Sequence, residues 1–273
     1  MKPKALIVRA PGTNCDEETK YAFDLAGADA EVFHINRLLE NPEIGKQFQI
    51  LCIPGGFSYG DDIAAGRIFA NQFRLYLKDL IYDFKTNNKL VLGICNGFQV
   101  LIKSGALFES EEQEATLTWN ESGKYDDRWV DLETANENCV FLKGSDRLYL
   151  PVAHAEGKFV PQNDATLANL ENAGQLPLRY AAGIPAGLPN ETHSENASDA
   201  SAISAQLSFP CNPNGSTANV AGLCDPSGRL FGLMPHPERF IDRTQHPHWT
   251  RKRDLKVGDG LAIFTNAVDY LKS

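Results

Sequence analysis

The sequence has no stretch approaching the ~20 consecutive apolar residues that a membrane span requires, so no membrane association is expected. It also lacks a basic face. Arg251-Lys252-Arg253 is the one dense basic patch, it stands beside Asp254, and the formal charge of the 273 residues is -9. Nucleic acids are held largely by counterion release onto clustered Lys and Arg, so nucleic-acid binding has no basis here. The six cysteines show no C-x-x-C spacing, and Met1-Lys2-Pro3-Lys4 leads directly into a strand-like run without a secretory h-region. Neither a disulfide framework nor a zinc site is expected, and reduced thiols in a cytoplasmic protein are. Neither G-x-x-x-x-G-K-[ST] nor G-x-G-x-x-G occurs, so the chain is expected to bind no nucleotide.

What is present reads as an α/β protein, with residues 1–273 taken as a single domain. Short β-branched runs at Ala5 to Arg9, Ala30 to Ile35, Gln49 to Ile53 and Leu90 to Ile94 alternate with helical patterns. One helix follows Asp16, with Tyr21, Ala22, Leu25 and Ala26 on one face, and others span Ile63 to Thr86. That alternation predicts a mainly parallel sheet covered on both faces. Arg128 to Glu133 and Asp146 to Leu150 read as antiparallel strands added at one edge, Gly222 to Cys224 and Leu230 to Met234 as further strands. Gly260 to Leu271 reads as a closing helix with Leu261, Phe264, Val268 and Leu271 on one side. The stretch at about 183–206 is rich in Ala, Ser, Asn and Pro and is expected to be an exposed insertion.

Gly93-Ile94-Cys95-Asn96-Gly97 is G-x-C-x-G, the sulfur counterpart of the G-x-S-x-G nucleophile elbow. Glycines two positions to either side allow a sharp strand-to-helix turn that projects the central side chain clear of the sheet. The positive N-terminal end of the following helix would favour a thiolate at Cys95. A free cysteine is also among the most buried residue types, so a structural thiol is the competing reading, and the one preferred for Cys52 in "ILCIP".

A thiolate nucleophile needs a base that can later protonate a leaving group. His236, in Met234-Pro235-His236-Pro237-Glu238, follows a strand, and two prolines should hold it extended, which would turn Glu238 to the same side to orient the ring. Taken alone the triplet also fits an ordinary loop. His246-Pro247-His248 reads as a surface turn, with metal binding a weaker second choice, and His34 as a strand-end residue. His154, in P-V-A-H-A-E-G, is either a second site residue or an edge-strand histidine. Pro54-Gly55-Gly56-Phe57 would emerge at the same sheet edge as Cys95. There the N–H groups of Gly56 and Asn96 could hold an oxyanion, the alternatives being a phosphate-binding turn or a tight connection.

Taken together, G-I-C-N-G-F-Q at 93–99 and P-H-P-E at 235–238 resemble the class I, triad-type glutamine amidotransferases. The resemblance is closest to the branch formed by glutaminase subunits of phosphoribosylformylglycinamidine synthases. P-G-T-N-C-D at 11–16, P-G-G-F-S-Y-G-D at 54–61, R-W at 128–129, P-V-A-H-A-E-G at 151–157, N-P-N-G-S at 212–216 and M-P-H-P-E-R at 234–239 carry it along nearly the whole chain. It implies a flavodoxin-like sheet, Cys95 as nucleophile, His236 as base and acid, Glu238 as its orienter, and Gly56 with Asn96 as oxyanion donors. Gln99, Phe57, His154 and Glu156 would line the pocket for L-glutamine. No metal or cofactor is implied in this chain. ATP and Mg are expected on a large synthetase subunit, with a small accessory subunit as a further component, in conversion of formylglycinamide ribonucleotide in purine biosynthesis. Ala155 stands where the family usually has glycine. The competing readings are a glutaminase serving another synthetase, a cysteine hydrolase of similar fold, and a non-catalytic scaffold.

Overall fold

The computed structural model describes residues 2–110, 112–183, 206–252 and 254–273, so apart from its two end residues the expected insertion lies outside the described residues. Eleven strands are described: β1 (Lys4–Arg9), β2 (Asp29–His34), β3 (Ile50–Ile53), β4 (Leu90–Ile94), β5 (Ala115–Thr118), β6 (Asp126–Thr134), β7 (Arg147–His154), β8 (Lys158–Pro161), β9 (Leu178–Tyr180), β10 (Val220–Cys224) and β11 (Leu230–Leu233). The helices are α1 (Asp16–Ala26), α2 (Ile35–Glu40), α3 (Arg67–Tyr76), α4 (Lys78–Thr86), α5 (Asn96–Ser104), α6 (Asp164–Asn172) and α7 (Leu261–Tyr270).

Nine strands form one sheet in the order β2-β1-β3-β4-β11-β10-β9-β6-β7, and β5 pairs with β8 separately. From β2 to β11 all neighbours are parallel, and from β11 to β7 all are antiparallel. Every residue of β3, β4 and β11 is buried, as expected of parallel strands covered on both faces. One helix group joins α1 to α7, where Phe23 and Phe264 meet edge-on at 4.9 Å; the other packs α3 against α5 and α4. Such an aromatic pair contributes about 0.5–1.5 kcal/mol beyond its buried area.

Parallel strands end at a common edge. The segments after β1, β3, β4 and β11 therefore converge, and four successive antiparallel reversals bring the end of β7 to that same edge. This places Cys15, Gly56, Cys95, His154 and His236 together.

Three expectations are corrected. Helix α1 buries Asp16, Thr19, Ala22 and Phe23, and leaves Tyr21 and Leu25 exposed, because α7 and the sheet approach it from the Phe23 side. The second strand stops at His34, whose ring accepts the Asn36 N–H and starts α2 at Ile35. In α7 the fully buried side chains are Ile263, Phe264, Ala267 and Val268, while Leu261 and Leu271 pack at the margin of the core.

Candidate active site

Cys95 joins β4 to α5 with φ 51° and ψ -104°, a backbone conformation that β-carbon sterics make costly in a non-glycine residue. The flanking glycines make room for it. A Cβ on Gly97 would stand 1.8 Å from the Ile53 carbonyl oxygen, and one on Gly93 would stand 2.7 Å from that of Gly97. The Cys95 N–H donates to the Leu233 carbonyl at 2.8 Å, which ties the bend to β11. Its Sγ lies 3.8 Å from the Ala153 carbonyl oxygen, and the residue lines a cavity. Cys52, by contrast, is sealed inside β3, where burial pushes its thiol well up.

His236 and Glu238 are almost completely buried, and Nδ1 of the ring donates to Glu238 Oε1 at 2.6 Å. Burial by itself would push the imidazole down. That is the largest single effect, but the Glu238 carboxylate and, after it, the Cys95 and Cys15 sulfurs together outweigh it, and the group is held well above its ordinary value. Nε2 is buried without a hydrogen-bond partner: the two sulfurs lie near enough to act on the ring, yet neither meets hydrogen-bond geometry in this state. The expected extended segment is not present. Pro237–Arg239 is a 3-10 turn closed by the Arg239 N–H on the His236 carbonyl, and that turn brings the carboxylate beneath the ring.

Two adjoining cavities of about 240 Å³ share Gly56, Phe57, Cys95 and Ala153. His236, Cys15 and Arg239 line one, Gln99, His154 and Glu156 the other, so Cys95 stands at their junction. Gly56 adopts φ 139°, and a Cβ there would lie 2.7 Å from the Asn14 nitrogen. Among the described residues, neither the Gly56 nor the Asn96 N–H has a hydrogen-bond partner, which leaves both able to donate to a ligand. Phe57 is 43 % exposed and tilts against Tyr125 at 6.4 Å at the cavity mouth.

Gln99 is committed to the wall, donating to the Glu156 carbonyl at 2.7 Å and accepting from the Asn96 amide at 2.9 Å. Glu156 accepts from the Ala65 N–H and has Lys103 Nζ at 3.6 Å. His154 ends β7 in the cavity wall; burial, then the charge on His236, push it down to about 3, so its ring is neutral. The 154–157 loop is held from below by Asn120, which donates to the His154 carbonyl, and by Asn214, which donates to that of Gly157. Ala155 does not adopt a positive φ, so its backbone does not call for glycine.

Sequence reasoning left three neighbours without a role. Cys15 accepts a hydrogen bond from Arg239 Nη2 at 3.2 Å, and Asp61 accepts one from the Asn96 amide at 3.2 Å. All three stood inside the quoted motifs, which was the available signal. Cys15, His236 and Glu238 form the one group with metal-like spacing among the described residues, their ligating atoms within 4.8 Å of one another. The Arg239 guanidinium on the Cys15 sulfur brings a positive charge to that group and disfavours a cation there. His246, expected in a surface turn, is instead buried among Trp129, Tyr149 and Phe240, with ring centroids 5.5–5.6 Å away. Its Nδ1 accepts the His248 N–H, while Pro247 and His248 themselves stay exposed.

The family profile of the CobB/CobQ-like glutamine amidotransferase domain matches residues 2–271. A phosphoribosylformylglycinamidine synthase subunit PurQ from Dehalococcoides mccartyi is 45 % identical, over 99 % of this chain and 98 % of its own. Another from Methanococcus maripaludis is 36 % identical over 98 % and 97 %. Among solved structures, a chain of PurLQS from Thermotoga maritima superposes with a TM-score of 0.69 at 28 % identity, covering 99 % of this chain and 100 % of that one. A glutamine amidotransferase from the same organism, at 15 % identity and a TM-score of 0.53, shares the fold. With a profile that runs from end to end and relatives matched over their whole length, the chain belongs to the CobB/CobQ-like glutamine amidotransferase domain family.

Proposed function

We propose that this protein hydrolyses L-glutamine and supplies the ammonia to a synthetase that converts formylglycinamide ribonucleotide to formylglycinamidine ribonucleotide in purine biosynthesis. The observation that carries this reading is the convergence of the Cys95 elbow and the hydrogen-bonded His236–Glu238 pair on adjoining cavities, in a chain aligned throughout with PurQ subunits.

The Cys95 sulfur attacks the side-chain amide carbon of glutamine. The oxygen that gains charge is received by the Gly56 and Asn96 N–H groups. His236, as the imidazolium oriented by Glu238, protonates the nitrogen as the C–N bond breaks, and ammonia leaves a thioester on Cys95. The ring, now neutral, takes a proton from water, whose oxygen attacks the thioester and releases glutamate and the thiol. Free in water, ammonia would become ammonium and lose its nucleophilicity, so a docked synthetase has to receive it directly. ATP and Mg²⁺ are assigned to that partner, and the complex to the cytoplasm. Among the described residues, no helix is long and apolar enough to cross a membrane.

The test uses the complex reconstituted with its synthetase. Cys95→Ala is expected to abolish glutamine-dependent product formation and to leave ammonia-dependent formation intact. Retained glutamine dependence would overturn the assignment.

A further inference from the structure

The cavity beyond Cys95 has an unbalanced charge. Two carboxylates, Asp61 and Glu156, line it, and the cation paired with Glu156 among the described residues, Lys103, is spent on that carboxylate and on the Ala65 carbonyl. Asp61 is held by the Asn96 amide, which ties it to the residue next to Cys95. Burial first, and then the Glu156 charge, push Asp61 up to about 6, as expected where a second carboxylate shares too little positive charge.

His154 is an independent indication. Asn120 donates through Nδ2 to the Lys124 and His154 carbonyls, and its Oδ1 accepts the Gly157 N–H, so the atom facing His154 Nδ1 at 3.1 Å is an oxygen. Nδ1 must therefore carry the proton of the neutral ring, and Nε2 is a bare acceptor. That nitrogen is buried, without a partner, on a side chain only 3 % exposed that lines the same cavity. The Gln99 amide donor is already given to the Glu156 carbonyl. This part of the wall thus offers acceptors and surplus negative charge, and a substrate ammonium has three donors and one positive charge.

We infer that Asp61, supported by Glu156 and His154 Nε2, is the specificity-determining residue that receives the α-ammonium group of the substrate, so that the site selects a free α-amino acid amide over an amide without that cation. The inference rests on the glutaminase reading.

The experiment compares L-glutamine with glutaramate, the same amide without its α-amino group, as substrates of the assembled complex. The unmodified complex is expected to prefer glutamine by roughly 100-fold or more in kcat/KM, the size of effect that follows loss of one partner of a buried charged contact. In Asp61→Asn, glutamine is expected to lose about 10-fold or more, chiefly through KM, and glutaramate less than about 3-fold, so the preference narrows. A merely structural role would depress both amides together, and that result would overturn the inference, as would equal use of both by the unmodified complex, which needs no variant. Failure of the unmodified complex to use either amide would instead remove the glutaminase reading and the inference with it. Co-elution of the Asp61→Asn subunit with the synthetase, together with an unchanged circular-dichroism spectrum, verifies that the subunit is folded and docked.

Discussion

Gly97 and Ile53 come so close that a single methyl group on the glycine would sit 1.8 Å from the isoleucine carbonyl oxygen. The contact lets α5 start directly against β3 and thereby aims Cys95. Gly97→Ala must push the helix away from the sheet, and overpacking of this kind costs about 1–3 kcal/mol. The expected result is a lowered urea midpoint together with a loss of glutaminase activity larger than the loss of stability explains. Denaturation and steady-state assays on one preparation check both.

The 2.6 Å contact of His236 with Glu238 holds the imidazole up. Glu238→Gln keeps an acceptor and removes the charge, so the ring should titrate at lower pH and glutaminase activity should fall roughly 10²–10⁴-fold. Stability has a defined sign. A raised histidine contributes stability that is fully present below its unfolded value of about 6.5 and is lost as pH rises through the folded value. The deficit of the variant, about 3–5 kcal/mol at neutral pH, should therefore narrow in alkaline buffer. Melting curves across pH, with NMR titration of the ring, test it.

Thiol chemistry should be sorted by position. Cys15 is pushed up to about 11, burial outweighing His236 and Arg239, and burial also holds Cys52 and Cys139 well up. At pH 8 Cys15 is then a thiolate only about one part in a thousand. A brief iodoacetamide pulse on native protein, read by mass spectrometry, is expected to modify Cys95 at the cavity junction before Cys15, Cys52 and Cys139, and glutamine should slow it. Early modification of Cys15 would contradict this ordering.

Asp61 should act against stability where it acts for binding. Its folded value, about 6, lies above the ordinary carboxylate value, so stability falls as pH rises through the interval between them and the ionised group is a liability at neutral pH. Asp61 is partly open to solvent, which screens the effect to about 1 kcal/mol. Asp61→Asn is expected to melt higher than the parent at pH 7.5, with the gain shrinking by pH 5.

Legibility followed the range of the physics. The strands around Ile7, Leu51 and Leu92 were readable because burial on both faces writes continuous apolar runs, and the Cys95 bend because its two glycines answer a steric demand within five residues. The neighbourhood of His236 and Glu238 is readable from their spacing, although the two prolines predict extended chain where a 3-10 turn joins them. The buried side of α1 was not. Tyr21 and Leu25 satisfy a helical period as well as Thr19 and Phe23 do, and only the arrival of Phe264 chooses between the two faces. His246 likewise became an interior residue because Trp129, Tyr149 and Phe240 enclose it.

From its own residues the chain determined that four parallel strands would end in glycine-, cysteine- and histidine-bearing turns, since hydrophobic period and turn stereochemistry act over a few positions. Tertiary structure alone decided that Arg239 would reach Cys15 and Glu18, that Asp61 and Glu156 would share a cavity, and that His154 would hold a bare acceptor there. Those groups lie as much as 224 positions apart. Their charges and hydrogen bonds act only over a few ångströms, so their chemistry exists only after the sheet has brought its strand ends to one edge.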